Sequence, residues 1–398
     1  MNRQNPALTE ENNKMRGNLI SVIIPTRNRQ LYAERTIRQI CDLHLDIQVV
    51  VQDNSDDGSL RNMILDLIEN DSIDYSYESE PLPFSENYDR AAMRANGKFL
   101  CAIGDDDGVL PDIIECALWM EKEGIDAVKP AKDLLYCHPG NKNKKLNACL
   151  GISYYSGGYR FSNPEVGVIE LLNDGGCNYL RKDLIGSYHG LVRMDLMNKV
   201  KEYTGKYYGG LTPDMYSVIC LSLIPGVRFA VIDYPITLPG VCASSGSAAS
   251  ETGKHVGKIE DAPHLKYLPN YEWDSRVPSY YSVETIWAET MIKAIIAMKR
   301  EDLIERYFNR EALAYYLYFY NVKKRGEILQ MLSPELAEYV SKTFRPSSKE
   351  EKLYKLANRA IIKLSRKRIV YRHIDTISKA VDLTIKCLER RDTKAPWN

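Results

Sequence analysis

The chain lacks the features that mark most membrane, secreted and nucleic-acid-binding proteins. None of its apolar runs approaches the roughly 18 residues that a membrane-spanning helix needs. The first residues are polar and hold no apolar signal core, and the nine cysteines include no CxxC pair, so we expect a cytoplasmic protein with reduced thiols. The 53 basic residues only balance the 53 acidic ones, and a chain without net positive charge is not expected to bind nucleic acids.

What the chain does have is an uneven distribution of charge. From Arg345 onward it carries 15 basic and 6 acidic residues, so the rest of the chain is acidic. A basic segment can hold a protein at an anionic membrane surface, but it can equally be a solvated helix face or dock on the acidic remainder. Peripheral contact with the inner face of the plasma membrane is therefore one expectation for the C-terminal helices, and a homodimer is another.

Apolar runs rich in β-branched residues alternate with stretches of helical spacing through the first third of the chain. The predicted strands cover 18–24, 46–52, 73–78 and 97–103. The predicted helices cover 30–43, 60–68, 85–96 and 111–123, and later ones cover 302–320, 325–343 and 348–390. Alternating strands and helices imply right-handed crossovers and a mainly parallel sheet flanked by helices. The sequence therefore predicts an α/β fold.

Three consecutive aspartates, Asp105–Asp107, follow the predicted strand 97–103. Adjacent carboxylates repel each other, and a divalent cation removes that cost; magnesium and manganese prefer oxygen ligands and often share them with substrate phosphates. Two other polar clusters, 25–29 and 53–58, follow earlier predicted strands, and ligands of parallel sheets bind beyond these strand ends. The coincidence favours a site for a metal ion and a diphosphate over three unrelated turns.

Three segments in the right order and spacing resemble a known family. They are the first strand with its loop, 21–28, the second strand with Asp53 at its end, 49–58, and the strand that leads into the aspartates, 95–107. Together they resemble the family 2 glycosyltransferases, whose catalytic domain has the GT-A fold, a Rossmann-like, mainly parallel sheet flanked by helices. The resemblance implies an enzyme that moves a sugar from a UDP- or GDP-sugar to a glycan or lipid-linked acceptor in surface polysaccharide synthesis.

The resemblance also implies a Mn²⁺ or Mg²⁺ ion at an Asp-x-Asp (DXD) motif. Aligned on Pro111, the first aspartate of the family pattern falls on Gly104, so the metal ligands stay open among Asp105, Asp106 and Asp107. In an extended segment residues two apart share a face, which favours the first and third of these. The resemblance covers a GT-A domain 18–265, with a nucleotide-binding half 18–130 and an acceptor half 131–265. The polar residues 1–17 are expected to form a flexible tail, and the helical spacing predicts a helical C-terminal region 266–398 that is basic from 345.

The nucleotide is expected to meet the strand ends and the start of the helix 85–96. A carboxylate such as Asp53 can accept a hydrogen bond from a ribose hydroxyl or a base N–H, although it can also close an Asx turn. Arg27 can meet phosphate or form a structural ion pair, and Glu86 can contact the nucleotide or stabilise its helix. The residues predicted to bind the nucleotide are Pro25, Thr26, Arg27, Asp53, Glu86, Asn87, Asp105 and Asp106.

A general base is expected in the segment 207–217, where Thr212 and Pro213 suit a helix start and Asp214 follows in the first turn. Related bacterial transferases carry a similar Pro-Asp segment at this place, which implies a single displacement that inverts the anomeric carbon. The alternative is plain charge stabilisation of a helix N-terminus, and Asp195 is a weaker candidate base.

A late histidine often completes the metal shell of GT-A enzymes. His255, beside the Ser- and Gly-rich stretch 241–254, is the predicted ligand, with His189 and His264 as rivals. Aromatic faces pack on sugar CH groups, so several tyrosines are candidates for the acceptor side. They are Tyr154, Tyr155, Tyr159, Tyr207 and Tyr208.

Two other functions stay open at this point. A nucleotidyltransferase would share the α/β sheet, but it usually has a glycine-rich loop after its first strand, and the segment 25–29 contains no glycine. A non-catalytic scaffold or binding protein would combine a transferase-like domain with a helical tail. The retention of Asp105–Asp107 and Asp214 counts against a decayed enzyme.

Overall fold

The computed structural model describes residues 18–130, 134–141, 147–243, 256–343 and 368–398. The strands are β1 (Ile20–Thr26), β2 (Ile47–Asp53), β3 (Asp74–Tyr77), β4 (Phe99–Ala102), β5 (Gly108–Val109), β6 (Ala127–Pro130), β7 (Leu134–Cys137), β8 (Cys149–Ile152), β9 (Tyr159–Ser162), β10 (Leu191–Arg193), β11 (Phe229–Ile232), β12 (Thr237–Leu238), β13 (Gly240–Val241), β14 (Val256–Gly257), β15 (Tyr281–Ser282) and β16 (Ile369–Arg372).

The α-helices of these residues follow in chain order. They are α1 (Gln30–Cys41), α2 (Ser59–Met63), α3 (Leu65–Glu69), α4 (Phe84–Met93), α5 (Ile113–Glu123), α6 (Pro164–Asn173), α7 (Met194–Thr204), α8 (Pro213–Ser222), α9 (Val283–Ala297), α10 (Glu301–Tyr307), α11 (Arg310–Tyr320), α12 (Arg325–Met331), α13 (Pro334–Thr343) and α14 (Ile377–Arg390). Among the described residues, no helix is both long enough and apolar enough to cross a membrane.

An eight-stranded sheet in the order β3-β2-β1-β4-β10-β6-β11-β9 organises the molecule. The strands β3, β2, β1 and β4 are mutually parallel, and β6 pairs in parallel with β11. The strands β10 and β9 run antiparallel to their neighbours. The predicted α/β fold with a mainly parallel, Rossmann-like sheet is thereby confirmed.

The order of the strands fixes where a ligand can bind. The chain runs outward from β1 to β2 and β3, and then returns to place β4 on the other side of β1. Such a switch point leaves a crevice beyond the carboxyl ends of the two strands. The ladder between β1 and β4 ends at the pair Ile23 and Ala102, and Pro25, which has no N–H to donate, comes two residues later. The crevice opens there.

Apolar packing covers both faces of the sheet. On one face α1, α5 and α14 supply buried residues, among them Ile37, Met120 and Val381. On the other face α4, α7, α8 and α9 do the same, with Met215 and Ile292 fully buried. Strand β1 is therefore enclosed on both sides, which explains why its residues are almost continuously apolar and β-branched.

The last described segment, 368–398, returns to the α/β part of the molecule. Strand β16 pairs antiparallel with β8 in a small sheet of order β13-β7-β8-β16, and the Tyr136 hydroxyl donates to the Ile374 carbonyl at 3.2 Å. The predicted helix 348–390 is thus wrong at 369–372, which is a strand, and confirmed at 377–390. The proposed domain limits stay predictions, and residues 344–367, which include the first part of the basic segment, lie outside the described residues.

Helix α14 supports the turn that follows the aspartates. Ile377 is 1% exposed, and its Cγ1 atom lies 3.2 Å from the point that a Cβ atom on Gly108 would occupy. Only a glycine lets helix and strand approach this closely without a shift. The C-terminal helix is therefore part of the structural support of strand β5.

We expect Ile377→Ala to lower the free energy of unfolding by about 2–5 kcal/mol, because it opens a cavity at this buried contact. The matched control is Ile369→Ala on strand β16, whose side chain is 42% exposed; it is expected to cost less than about 1 kcal/mol. Urea denaturation followed by circular dichroism measures both. Equal, small losses would show that the C-terminal segment does not stabilise the fold.

Candidate active site

The three aspartates form a buried turn beyond β4. Each of the three residues is at least 96% buried. The Gly104 N–H donates to Asp107 Oδ2 at 2.6 Å, and the Thr36 hydroxyl donates to the backbone carbonyls of Asp105 and Asp107. This turn contradicts the expectation of an extended segment, in which the carboxylates of Asp105 and Asp107 would face the same way.

Asp105 is held by a buried ion pair. Arg29 donates from Nε to Asp105 Oδ2 at 3.0 Å, and its Nη2 atom lies 2.6 Å from Oδ1. The Thr26 hydroxyl adds a 2.6 Å hydrogen bond to Oδ2. Burial raises the pKa of Asp105 to about 6 against the opposing effect of Arg29. Although burial lowers the pKa of Arg29, Asp105 and Asp106 raise it well above its ordinary value.

Asp106 and Asp107 are held mainly by backbone N–H groups. The Cys242 N–H donates to Asp106 Oδ2 at 3.0 Å, and the Gly240 N–H donates to Asp107 Oδ1 at 2.6 Å. A Cβ atom on Gly240 would lie 1.7 Å from the Asp106 carbonyl oxygen, so this position requires glycine. Burial, followed by the charge of Asp106, raises the pKa of Asp107 to about 7.

Two ring side chains complete the surroundings of Asp107. The Tyr188 hydroxyl donates to Asp107 Oδ2 at 3.0 Å, and His189 Nε2 lies 3.3 Å from the same oxygen. His189 is in the left-handed region with φ of 62°, and its Nδ1 atom is 3.0 Å from the Thr237 hydroxyl. Of the three histidines considered from the sequence, His189 contacts Asp107 and His264 lines the cavity described next, whereas His255 lies outside the described residues.

A cavity of about 620 Å³ joins these aspartates to the segment 207–217. Asp106, Asp107 and Asp214 line it. Pro25 near the end of β1 and Arg29 from the loop after β1 line it as well. Asp105 is not among the lining residues. The structure therefore brings the predicted base and two of the three aspartates that were predicted as metal ligands to one cavity.

Asp214 stands in the first turn of α8, which begins at Pro213. Proline suits this position because the first helical N–H has no partner within the helix. The Tyr179 hydroxyl donates to Asp214 Oδ2 at 2.5 Å, and Tyr179 lines the same cavity. The weaker candidate base, Asp195, is exposed at the start of α7 and does not line it.

The predicted nucleotide residues Asp53, at the end of β2, and Arg27, just after β1, form contacts within the protein. Asp53 Oδ1 accepts from the Ser55 N–H at 2.9 Å, which is the Asx turn, and Oδ2 accepts from the Tyr75 hydroxyl at 2.9 Å. Arg27 lies 3.3 Å from Asp56 and donates to the Tyr267 hydroxyl at 3.0 Å. Their contact with a nucleotide stays a prediction.

The two predicted residues on α4 differ in their surroundings. Glu86 accepts from Arg90 at 3.1 Å on the same helix. Asn87 is buried and donates to the Thr26 carbonyl at 3.2 Å, while its Oδ1 atom has no hydrogen-bond partner among the described residues. Asn87 thus braces the end of β1 from the other face and keeps one acceptor unused.

The tyrosines chosen for the acceptor side lie elsewhere. Tyr155, Tyr207 and Tyr208 are buried, Tyr154 and Tyr159 are exposed, and none of the five lines the cavity. Its aromatic lining comes instead from Phe84, Tyr88, Tyr179, Tyr188 and Trp287. The sequence does not mark these five lining residues as part of a site, because each of them reaches the cavity through tertiary packing.

Among the described residues, no three His, Cys, Asp or Glu side chains converge on a point that would hold a metal ion. Magnesium, however, is usually bound through one or two carboxylates together with substrate phosphates rather than by a cage of protein ligands. Asp106 and Asp107 supply hard oxygen atoms at the wall of the cavity. This donor set fits an ion that is shared with a diphosphate.

Residues 21–187 match the family model "Glycosyl transferase family 2". This part of the chain is a family 2 glycosyltransferase domain. The match confirms the predicted family and enzyme class for the domain. It contains β1, β2 and the aspartate turn, and it ends before Asp214 and α9.

Three relatives of the chain, one by sequence and two by structure, are distant. The GalNAc(5)-diNAcBac-PP-undecaprenol beta-1,3-glucosyltransferase of Campylobacter jejuni is 25% identical over 111 residues, which are 26% of this chain and 35% of that protein. Thus the match spans about a third of the relative. Among solved structures, S. aureus TarS 1-349 in complex with UDP-GlcNAc has a TM-score of 0.44 at 13% identity, with 92% of each chain covered. The Pyrobaculum calidifontis mannosyltransferase PcManGT, in complex with GDP-Man and Mn²⁺, has 0.42 at 13% identity, with 96% and 89% covered.

We expect Arg29→Ala to destabilise the glycosyltransferase domain by about 3–5 kcal/mol at pH 8, because it leaves the buried Asp105 carboxylate without the positive charge that compensates it. The pKa of Asp105, about 6, lies above the 3.8 of an exposed aspartate, so the folded state binds its proton more tightly than the unfolded chain does. The contribution of the Asp105 carboxyl to the free energy of unfolding is therefore most favourable in acid, and it falls as the pH rises through about 6. The loss in the variant should be smaller at pH 5.

Urea denaturation at pH 5 and pH 8 measures this difference. Arg90→Ala serves as the control, since Arg90 forms ion pairs with Glu78 and Glu86 at the surface and exposed pairs contribute little. A loss for Arg29→Ala that is as small as the control's, or the same at both pH values, would contradict the assigned role of the ion pair.

Proposed function

We propose that the protein transfers a sugar from a nucleotide-diphospho-sugar to an acceptor hydroxyl with inversion of the anomeric carbon. One observation carries the proposal. Asp106 and Asp107, beyond the end of β4, and Asp214, at the start of α8, line a single cavity of about 620 Å³ at the switch point of the sheet. A diphosphate and an acceptor hydroxyl need groups of these two kinds in one enclosed space.

The donor's diphosphate is assigned to the end of the cavity at the aspartate turn. There Asp106 and Asp107 would hold Mn²⁺ or Mg²⁺, and when bound the ion neutralises the charge that develops on the departing diphosphate. The chain's own part is to keep both carboxylates in place, through the N–H groups of Cys242 and Gly240 and the Tyr188 hydroxyl. Arg29 contributes a positive charge to the same wall.

The acceptor is assigned to the end at Asp214. A carboxylate there accepts the proton of the acceptor hydroxyl while the new C–O bond forms and the bond to the diphosphate breaks. A single in-line displacement of this kind inverts the anomeric carbon. Phe84 and Trp287 in the cavity wall offer apolar surface to the sugar and acceptor.

The identity of the acceptor rests on the curated relative. That Campylobacter jejuni protein acts on an undecaprenol-diphosphate-linked glycan, as its name states. We extend this to a glycan or lipid-linked acceptor for the present chain, with the protein at the inner face of the plasma membrane and its basic segment 345–398 in contact with anionic lipid. Dimerisation through the C-terminal helices is a further part of the proposal.

We expect Asp214→Asn to lower kcat about 10²- to 10⁴-fold, the usual contribution of a general base, while the KM of the donor changes little. The assay is release of UDP or GDP from UDP-glucose, UDP-GlcNAc and GDP-mannose with Mn²⁺. Asp195→Asn is the matched control, because this exposed aspartate also stands in the first turn of a helix but outside the cavity. Equal rates for both variants would reject Asp214 as the base.

Removal of the metal gives a separate test. With EDTA we expect nucleotide release to stop and to return with Mn²⁺ or Mg²⁺. We also expect UDP or GDP with Mn²⁺ to raise the melting temperature, and Asp106→Asn to remove the part of this shift that depends on Mn²⁺. Release that continues undiminished in EDTA would contradict the metal assignment.

The same measurements separate the other two functions. A nucleotidyltransferase would release pyrophosphate from UTP or GTP with a sugar phosphate rather than UDP or GDP from a nucleotide-sugar. A scaffold would show neither release nor a thermal shift with any nucleotide.

A further inference from the structure

Tyr179 makes a close contact with the proposed base. It opens the short 3₁₀ turn Tyr179–Arg181, directly after Asn178 in the left-handed region with φ of 63°. Its hydroxyl donates to Asp214 Oδ2 at 2.5 Å, at the short end of hydrogen bonds between a hydroxyl and a carboxylate. The other oxygen, Oδ1, accepts no hydrogen bond from the described residues. The two side chains line the same cavity.

The Tyr179 ring packs against a side chain of helix α9. Trp287 packs edge-on against it, with ring centroids 4.9 Å apart and an angle of 82° between the planes. Trp287 lies in the second turn of α9, whose N-terminus is fixed by a capping box between Ser282 and Thr285. The orientation of the tyrosine is therefore determined by a helix that lies outside the matched residues 21–187.

The start of α8 is tied to the same helix by a second contact. The Thr212 hydroxyl, just before α8, lies 3.2 Å from the Thr290 hydroxyl on α9. A Cβ atom on Gly210, whose φ is 64°, would lie 2.7 Å from Thr290 Cγ2. Both the base and its hydrogen-bond donor thus take their positions from α9.

We propose that Tyr179 is a positioning residue that orients the Asp214 carboxylate for proton transfer. The inference rests on the proposed role of Asp214 as the base. The hydroxyl engages Oδ2 and so fixes the carboxylate plane, which leaves Oδ1 to accept the proton of the acceptor. In that step the acceptor O–H bond breaks, its oxygen forms a bond to the anomeric carbon, and the diphosphate leaves with the electron pair of the broken C–O bond.

The direction of the hydrogen bond is set by the environment. Burial, followed by the charge of Asp214 and the hydrogen bond to it, raises the pKa of Tyr179 well above its ordinary value. Tyr179 is therefore protonated throughout the pH range in which the enzyme is assayed. It acts as a donor to the ionised carboxylate and not as a second base.

Tyr179→Phe tests the proposal, because it removes the hydroxyl and keeps the ring that packs on Trp287. We expect kcat for nucleotide release from the donor sugars named above to fall about tenfold, with little change in the donor KM. We also expect the acid limb of the kcat profile to move to higher pH, because the ionised carboxylate loses a hydrogen bond. If Tyr179 had only a structural role, Tyr179→Phe would lower the stability of the protein but leave the acid limb of the kcat profile at the same pH.

Tyr271→Phe is the matched control. The Tyr271 hydroxyl donates to the buried Glu289 carboxylate at 3.0 Å, and Tyr271 does not line the cavity. Its loss should cost stability without changing the pH profile. Trp287→Leu, which leaves the Tyr179 ring unsupported, should lower kcat in the same direction as Tyr179→Phe.

A measurement independent of turnover completes the test. Carboxyl ¹³C NMR of the folded protein, with the Asp214 signal identified by its loss in Asp214→Asn, should titrate at higher pH in Tyr179→Phe than in the unmodified protein. An unchanged titration and pH profile would overturn the role of Tyr179, even where Asp214→Asn is inactive. An active Asp214→Asn variant would instead reject the base itself, and the role of Tyr179 with it.

Discussion

The ion pair between Arg29 and Asp105 is the interaction on which the rest of the site depends. Three adjacent aspartates are buried at the end of β4, and burial alone drives a carboxylate toward its neutral form. Arg29, at the end of the β1 loop, offsets this for Asp105 with contacts of 3.0 and 2.6 Å. Because one carboxylate is neutralised by the protein, the other two are free to line the cavity, where backbone N–H groups hold them.

The surrounding architecture maintains this arrangement from several directions. The strand order places the ends of β1 and β4 next to each other with no further ladder between them. Gly240 brings β13 against the Asp106 carbonyl, and Ile377 brings α14 against Gly108. The aspartate turn is therefore packed between segments that are far apart in the chain, so its geometry belongs to the whole α/β unit and not to the local sequence.

The sequence predicted those strands and site residues whose signal lies in neighbouring residues of the chain. Strands β1, β2 and β4 were predictable because continuous β-branched runs mark buried parallel strands, and the aspartates were found because they directly follow one of them. The strand at 369–372 was missed, since its partner β8 lies more than 200 residues earlier and the flanking residues have helical spacing. Arg29 and Tyr179 were not predicted as site residues. The carboxylate that each of them contacts lies elsewhere in the sequence, so no local pattern marks them. Asp214 was found from a helix-start pattern, although only the fold brings it to the cavity of Asp106.

The two ends of the cavity are formed by different segments of the chain. The β1 loop and the aspartate turn lie early, whereas the wall beside Asp214 is supplied by Trp287 and by the helix that carries it. Substitutions in this wall leave the strands beside the aspartate turn in place. Under the proposed assignment, descendants of this chain can therefore diverge in the hydroxyl compound they recognise while they keep the same activated sugar.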